Sequence, residues 1–159
     1  ENPFDFSVSG TVAGALPLVS ILDDGEAGYS ASAGWTTYTG VGAHGDFAYK
    51  AVGSGTETAT WTLSGLLPGQ YQVAVTWQAY TNRAMDARYT VLDGATALGT
   101  VSVDQRQNPV GLVENGVLWQ DVGVYELTGD TLVVRLSDQA GPAGSYVIAD
   151  AVRVERVGE

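Results

Sequence analysis

LPGQYQVAVTWQAY, Leu67–Tyr80, is the stretch whose reading decides the fold. From Tyr71 onward it alternates strictly. Tyr71, Val73, Val75 and Trp77 fall on one side, and Gln72, Ala74, Thr76 and Gln78 on the other. Side chains of a strand point alternately to opposite faces, so a period of two with one apolar side predicts a half-buried β-strand. Leu67-Pro68-Gly69-Gln70 reads as the turn ahead of it, since Pro presets φ and Gly tolerates the sterically crowded position that follows.

The same signal recurs on both sides. ETATWTLSGL puts Ala59, Trp61 and Leu63 on one face and Thr58, Thr60 and Thr62 on the other. DFAYKAV aligns Phe47, Tyr49 and Ala51. ARYTVLDGATALGTVSVD reads as two strands joined at Asp93-Gly94, a strong turn dipeptide. VLWQDVGVYELTGDTLVVRLSD reads as a second pair, turning at Thr128-Gly129-Asp130, and SYVIADAVRVERV as the closing strand. GYSASAGWTTYTG has looser β character, and TNRAMDARY has room for one helical turn. Phe4–Val8 reads as an edge strand, and Pro17 suits an edge or strand start because it has no N–H to donate. Short strands separated by Gly, Pro, Asp and Asn predict an all-β sandwich or barrel of about eight to ten antiparallel strands.

A chain of 159 residues with 45% hydrophobic composition is long enough to bury a core without disulfides or a structural metal. It has no Cys, which excludes thiol catalysis and Cys-ligated zinc. The net charge is -11, and only seven residues are basic: Lys50 and the arginines. Such a surface repels phosphate backbones and anionic membranes, so no nucleic-acid partner and no membrane insertion are expected. No apolar run approaches the roughly 18 residues of a membrane-spanning helix. No signal peptide is visible, and the start at Glu1-Asn2-Pro3 reads as a segment of a longer chain.

Catalytic patterns are missing. His44 is the sole histidine, there is no G-x-S-x-G elbow, and the glycines around it lack the Lys-Ser/Thr of a phosphate loop. No carboxylate pair is evident for glycoside hydrolysis. The expectation is therefore no enzyme and no cofactor. Asp23-Asp24-Gly25-Glu26 reads first as a solvated acidic turn. Its second reading is Ca²⁺ held by Asp23, Asp24 and Glu26, because dense carboxylates suit a hard cation. Asp150 lies inside an apolar strand, and a buried carboxylate needs partners, so it reads as a structural latch to a loop backbone or an Arg.

Trp61 and Trp77 sit in alternating strands and read as core. Trp35, Tyr38, Tyr80 and Trp119 lie near loops, where an exposed ring can stack on a sugar's C–H face. Two neighbouring blocks, TWQAYTNRAMDARYTV and VDQRQNPVG, concentrate polar donors. The candidate ligand-binding set is Tyr80, Asn82, Arg83, Arg88, Gln105, Arg106, Asn108 and Trp119. In it the arginines would grip a carboxylate such as that of a uronic acid, because the guanidinium fork matches it bidentately. Asn82, Gln105 and Asn108 would read hydroxyls, and Tyr80 or Trp119 would supply the stacking plate. The same donors equally suit loop-fixing hydrogen bonds.

The blocks LDDGEAGYSASAGW, TATWTLSGLLPGQYQVAVTW, NRAMDARYTV, VSVDQRQN, WQDVGVYEL and SYVIADAVRV together resemble the golvesin/xanthan-lyase carbohydrate-binding-like domain family, from about Ile21 to Val154. That resemblance implies an antiparallel β-sandwich, jelly-roll-like in the manner of galactose-binding domains. It also implies an accessory module of secreted or cell-surface proteins whose partner is a polysaccharide or a neighbouring domain. In the family pattern Trp35, Trp77, Asn82, Arg83, Tyr89, the Asp104–Asn108 block, Trp119 and Asp150 occupy motif positions. One departure is visible: PVGLVENGVL separates Asn108 from Trp119 where the family passes quickly, so this loop is expected to cover or reshape an edge site. The expected organisation is a domain over 21–157, with 1–20 as an extension or edge strand of it. The expected function is a non-catalytic carbohydrate-binding module. A structural or adhesive spacer is the alternative.

Overall fold

A computed structural model describes residues 19–158; the expected edge strand at Phe4–Val8 and Pro17 lie outside them. Fourteen strands and no helix occur among the described residues. They are β1 (Val19–Leu22), β2 (Tyr29–Ala31), β3 (Thr36–Thr39), β4 (Asp46–Ala51), β5 (Thr58–Ser64), β6 (Gly69–Val75), β7 (Ala87–Asp93), β8 (Thr96–Val103), β9 (Val113–Glu114), β10 (Val117–Leu118), β11 (Gln120–Leu127), β12 (Thr131–Ser137), β13 (Tyr146–Ala149) and β14 (Val152–Gly158). That is more than the roughly eight to ten expected: eight reach six residues or more, and the others are short edge pieces.

The strands form an antiparallel β-sandwich. One layer is β2-β5-β12-β7-β8; facing it are β1-β14-β6-β11 and the smaller sheet β13-β4-β3, and β9-β10 is a separate hairpin. The alternation at β5 and β6 sets the interior. Ala59, Trp61 and Leu63 from one layer meet Tyr71, Val73, Val75 and Trp77 from the other in a single core cluster. Burying a large aliphatic or aromatic side chain stabilises the fold by roughly 1.5–3 kcal/mol, so this layer of contacts is the main reason the two sheets stay together. The turn before β6 is closed by the Tyr71 hydroxyl, which donates to the Leu67 carbonyl at 2.8 Å.

Three expectations change here. First, β11 and β12 are not a pair. β11 hydrogen-bonds to β6, while β12 lies between β5 and β7. Thr128-Gly129-Asp130 therefore carries the chain from one layer to the other. The Asp93 carboxylate holds that crossing by accepting from the Thr128 N–H at 2.9 Å, the Thr128 hydroxyl at 2.6 Å and the Gly129 N–H. Second, the closing run is two strands. β13 pairs with β4 and β14 with β6, and the break falls at Asp150-Ala151. Third, the segment after β6 forms no helix, only a single hydrogen-bonded turn in which the Arg83 N–H donates to the Tyr80 carbonyl at 3.1 Å. After that turn the Ala84 N–H donates to the Tyr146 carbonyl at 2.8 Å and the Tyr146 N–H to the Asn82 carbonyl at 3.0 Å, so residues 82–84 bridge to the start of β13.

The inserted loop between Asn108 and Trp119 supplies β9 and β10. It covers a small second core of Ala74, Trp119 and Ala151 on the outer side of β6. Arg153 anchors the hairpin through an Nε bond of 2.6 Å to Glu114. Among the described residues no helix is long and apolar enough to cross a membrane.

Candidate functional site

The β3-β4 hairpin sets Tyr38 opposite Phe47, and β13 sets Ile148 opposite Tyr49. Phe47 and Tyr49 lie on one face by alternation. That face, with Tyr38, Tyr146 and Gln78, Tyr80, Asn82 and Arg83 of the segment after β6, lines a cleft of about 540 Å³. Its walls are aromatic. Tyr38 and Phe47 are stacked at 5.3 Å, and Tyr49 meets Tyr146 edge-on at 5.6 Å. Tyr38 and Tyr80 are 53% and 63% exposed, so each keeps ring surface open to solvent although Phe47 stacks on the first and Arg83 lies over the second.

Arg83 crosses the cleft. Its guanidinium carbon lies 5.4 Å from the Phe47 ring centroid and 5.8 Å from that of Tyr80. Nε donates to the Gln78 carbonyl at 3.3 Å and Nη1 to the Asn82 side-chain oxygen at 2.8 Å. Among the described residues it has no carboxylate within ion-pair distance. Partial burial lowers its pKa, as expected for a cation held without an anion. Arg83, Asn82 and Tyr80 from the expected ligand set thus come together.

The rest of the set does not join them. Gln105 is 0% exposed, and its amide bridges the Tyr89 hydroxyl at 3.1 Å and the carbonyl and N–H of Ile148 at 2.8 and 2.9 Å. It cannot read ligand hydroxyls because every part of it is engaged inside the sandwich. Trp119 is 1% exposed beneath the β9-β10 hairpin, so it is no stacking plate. Arg106 folds back on Asp104 through two bonds of 2.8 and 2.7 Å, which hold the Asp104 carboxyl below its ordinary range. Arg88 lies 3.8 Å from Asp86. Asn108 borders a separate, smaller cleft of about 190 Å³ beside Trp77, Val117 and Asp150. Of the remaining tryptophans, Trp61 and Trp77 are buried and Trp35 is packed partly against the core. The Trp61 N–H donates to the Asp150 carbonyl at 3.2 Å, and that of Trp77 to the Gln107 carbonyl at 2.9 Å.

Phe47, Tyr49, Gln78 and Tyr146 are cleft residues that the sequence reading passed over. The available signal was the alternation of DFAYKAV, which puts Phe47 and Tyr49 on a common face beside a Tyr-bearing hairpin partner.

A second polar cluster lies at the end of β1. Asp23 and Asp24 are 3% and 5% exposed, which corrects the reading of a solvated turn. The chain reverses sharply after Leu22 and tucks both carboxylates inward. With Asp46, at the start of β4, they place three carboxylate oxygens within 4.8 Å of one another. Burial and mutual repulsion push Asp24 up to about 8 and Asp23 to about 6. Asp150 accepts from the Ala43 N–H at 3.0 Å, and burial raises it to about 7. The Gly40–Gly45 loop reaches this place because Gly42 has φ 113, and a Cβ there would overlap the Asp46 carbonyl. His44 Nδ1 lies 3.3 Å from Asp23. Glu26, expected as the third ligand, instead has its carboxylate on the Asp23 N–H at 3.1 Å.

A model of the Golvesin C-terminal domain family matches residues 20–156. A xanthan lyase of Bacillus sp. (strain GL1) is 31% identical over 153 residues, which are 90% of this chain and 15% of that protein. A solved Paenibacillus xanthan lyase superimposes with a TM-score of 0.70 at 27% identity, over 87% of this chain and 13% of the other. A family 35 carbohydrate-binding module, solved with a disaccharide containing glucuronic acid, superimposes with a TM-score of 0.57 at 15% identity, over 84% of this chain and 91% of the module. The chain thus spans a small part of the lyases it resembles and nearly the whole of the module.

Proposed function

The chain belongs to the Golvesin C-terminal domain family, and from that premise we propose that it is a non-catalytic saccharide-binding module whose site is the aromatic cleft around Arg83. The ligand class is a polysaccharide bearing uronic acid residues. The module would work outside the cell or at its surface, beside other domains of a longer protein. The carrying observation is Arg83 itself: a partly desolvated guanidinium over two rings, with no anion of its own among the described residues. A sugar carboxylate supplies that anion, and charge-assisted hydrogen bonds are about twice as strong as neutral ones. The exposed faces of Tyr38 and Tyr80 supply apolar plates for the C–H faces of the sugar rings, and Asn82 and Gln78 add polar groups at the rim. A chain with net charge -11 would repel a polyanion broadly. The attraction is therefore local, and the binding would be short in extent and weakened by salt.

The test is a calorimetric titration with glucuronic-acid-containing and neutral oligosaccharides of equal length. Binding to the acidic series, lost in Arg83→Ala and kept in Arg106→Ala, supports the reading. Binding that ignores the uronic acid, or that survives Arg83→Ala, overturns it.

A spacer or adhesive role is the second reading. It is favoured by the internal satisfaction of Gln105, Arg106 and Asp150, which serve the fold and not a ligand. That reading expects no saccharide binding in the same titration.

A further inference from the structure

The cluster at the end of β1 has the features of a cation site and does not depend on the saccharide reading. Asp23 and Asp24 are more than nine-tenths buried, and the Oδ1 atom of each has no hydrogen-bond partner. A buried carboxylate oxygen without a donor costs several kcal/mol unless a charge meets it. The nearest basic group is His44, which engages the other oxygen of Asp23. No Lys or Arg pairs with Asp23, Asp24 or Asp46 among the described residues. Their facing oxygens span at most 4.8 Å. Oxygens no further apart than this can close on one ion at Ca²⁺–oxygen distances of about 2.3–2.6 Å with only small side-chain movement.

We infer that Asp23, Asp24 and Asp46 form a binding site for a hard divalent cation, Ca²⁺ in the first place. The donors are all carboxylate oxygens, which favours Ca²⁺ over softer metals. Ca²⁺ accepts flexible, irregular sets of oxygens, whereas Mg²⁺ demands near-ideal octahedral geometry and dehydrates reluctantly. The ion would tie the end of β1 to the start of β4. Through the Gly40–Gly45 loop it would also fix the β3-β4 hairpin that carries Tyr38 and Phe47. Ala43 already links that loop to Asp150.

The test uses the whole chain without saccharide, so its outcome is separate from that of the cleft. Thermal unfolding is followed in chelator and in CaCl₂ at about a hundredfold over the dissociation constant. The expected rise in midpoint is about 5–10 °C. Asp46→Asn and Asp24→Asn should abolish it. Terbium luminescence gives a second readout that needs no unfolding, because Trp61 donates to the same Asp150 carbonyl that receives the Asp24 N–H. Sensitised emission from the wild type, displaced by Ca²⁺ and absent in Asp46→Asn, supports the site. An unchanged midpoint with no sensitised emission overturns it. So does a Ca²⁺-induced rise that persists in both variants, since the ion would then bind elsewhere.

Discussion

Replacing Gln105 by Ala separates a structural glutamine from a ligand-reading one. In the structure the Gln105 amide accepts from the Ile148 N–H at 2.9 Å and donates to the Ile148 carbonyl at 2.8 Å and the Tyr89 hydroxyl at 3.1 Å. Removing it orphans the Ile148 N–H, at about 1–3 kcal/mol, and deletes two further bonds worth roughly 0.5–1.5 kcal/mol net each. The Tyr89 hydroxyl keeps the Ile148 carbonyl at 3.3 Å, which offsets part of the loss. The expected destabilisation is about 3 kcal/mol. For a domain of this size that lowers the thermal midpoint by about 6–12 °C. Urea unfolding followed by tryptophan fluorescence measures it, with the slope unchanged if the native state is otherwise intact. Saccharide affinity should be unaffected at temperatures where the variant is folded. A variant of wild-type stability that no longer binds saccharide would refute the assignment of Gln105 to the core.

Further outcomes follow from the same geometry. Arg106→Ala should leave both the unfolding midpoint and saccharide affinity unchanged within error, because its pair with Asp104 lies in solvent. Tyr80→Ala should weaken saccharide binding about three- to tenfold in the same calorimetric titration with little change in stability, since the ring is largely exposed. Trp119→Ala should lower stability by about 3–5 kcal/mol in urea, because it empties the small core beneath the β9-β10 hairpin. With chelator present, stability should fall as pH rises. Asp23, Asp24 and Asp150 have folded pKa values of about 6, 8 and 7, above the 3.8 of a free Asp. The folded state therefore holds more protons than the unfolded one across that interval. Their contribution is complete below about pH 4 and is lost by about pH 8. Thermal midpoints across that range check the sign, and a midpoint that climbs would contradict it.

The strands were readable because period-two alternation reports faces directly, as in Ala59, Trp61, Leu63 and Tyr71, Val73, Val75. Partner choice was not, because alternation names a face without naming a sheet. Thr128-Gly129-Asp130 looks like a hairpin turn, yet its strands go to different layers because Asp93 ties the crossing from outside. The break at Asp150-Ala151 is equally silent, since apolar residues continue on both sides. At the site, Tyr80, Asn82 and Arg83 were found because they are polar or aromatic residues just beyond a strand end. Gln105 and Trp119 misled for two reasons. A glutamine satisfied by backbone looks the same in sequence as one facing solvent. A tryptophan in a loop region is exposed only if no insertion covers it, and β9 and β10 do. The acidic turn was seen, but the long-range fold supplies Asp46 where local spacing offered Glu26.

The central claim is that one arginine of the six, Arg83, meets the ligand. The direct measurement is the set of arginine Nε–H resonances in a ¹⁵N-labelled sample during titration with a disaccharide containing glucuronic acid. The cleft predicts a saturable shift of the Arg83 signal, with the Arg88 and Arg106 signals still. A shift at Arg106 with Arg83 unmoved, or no shift at any arginine at millimolar ligand, would contradict it.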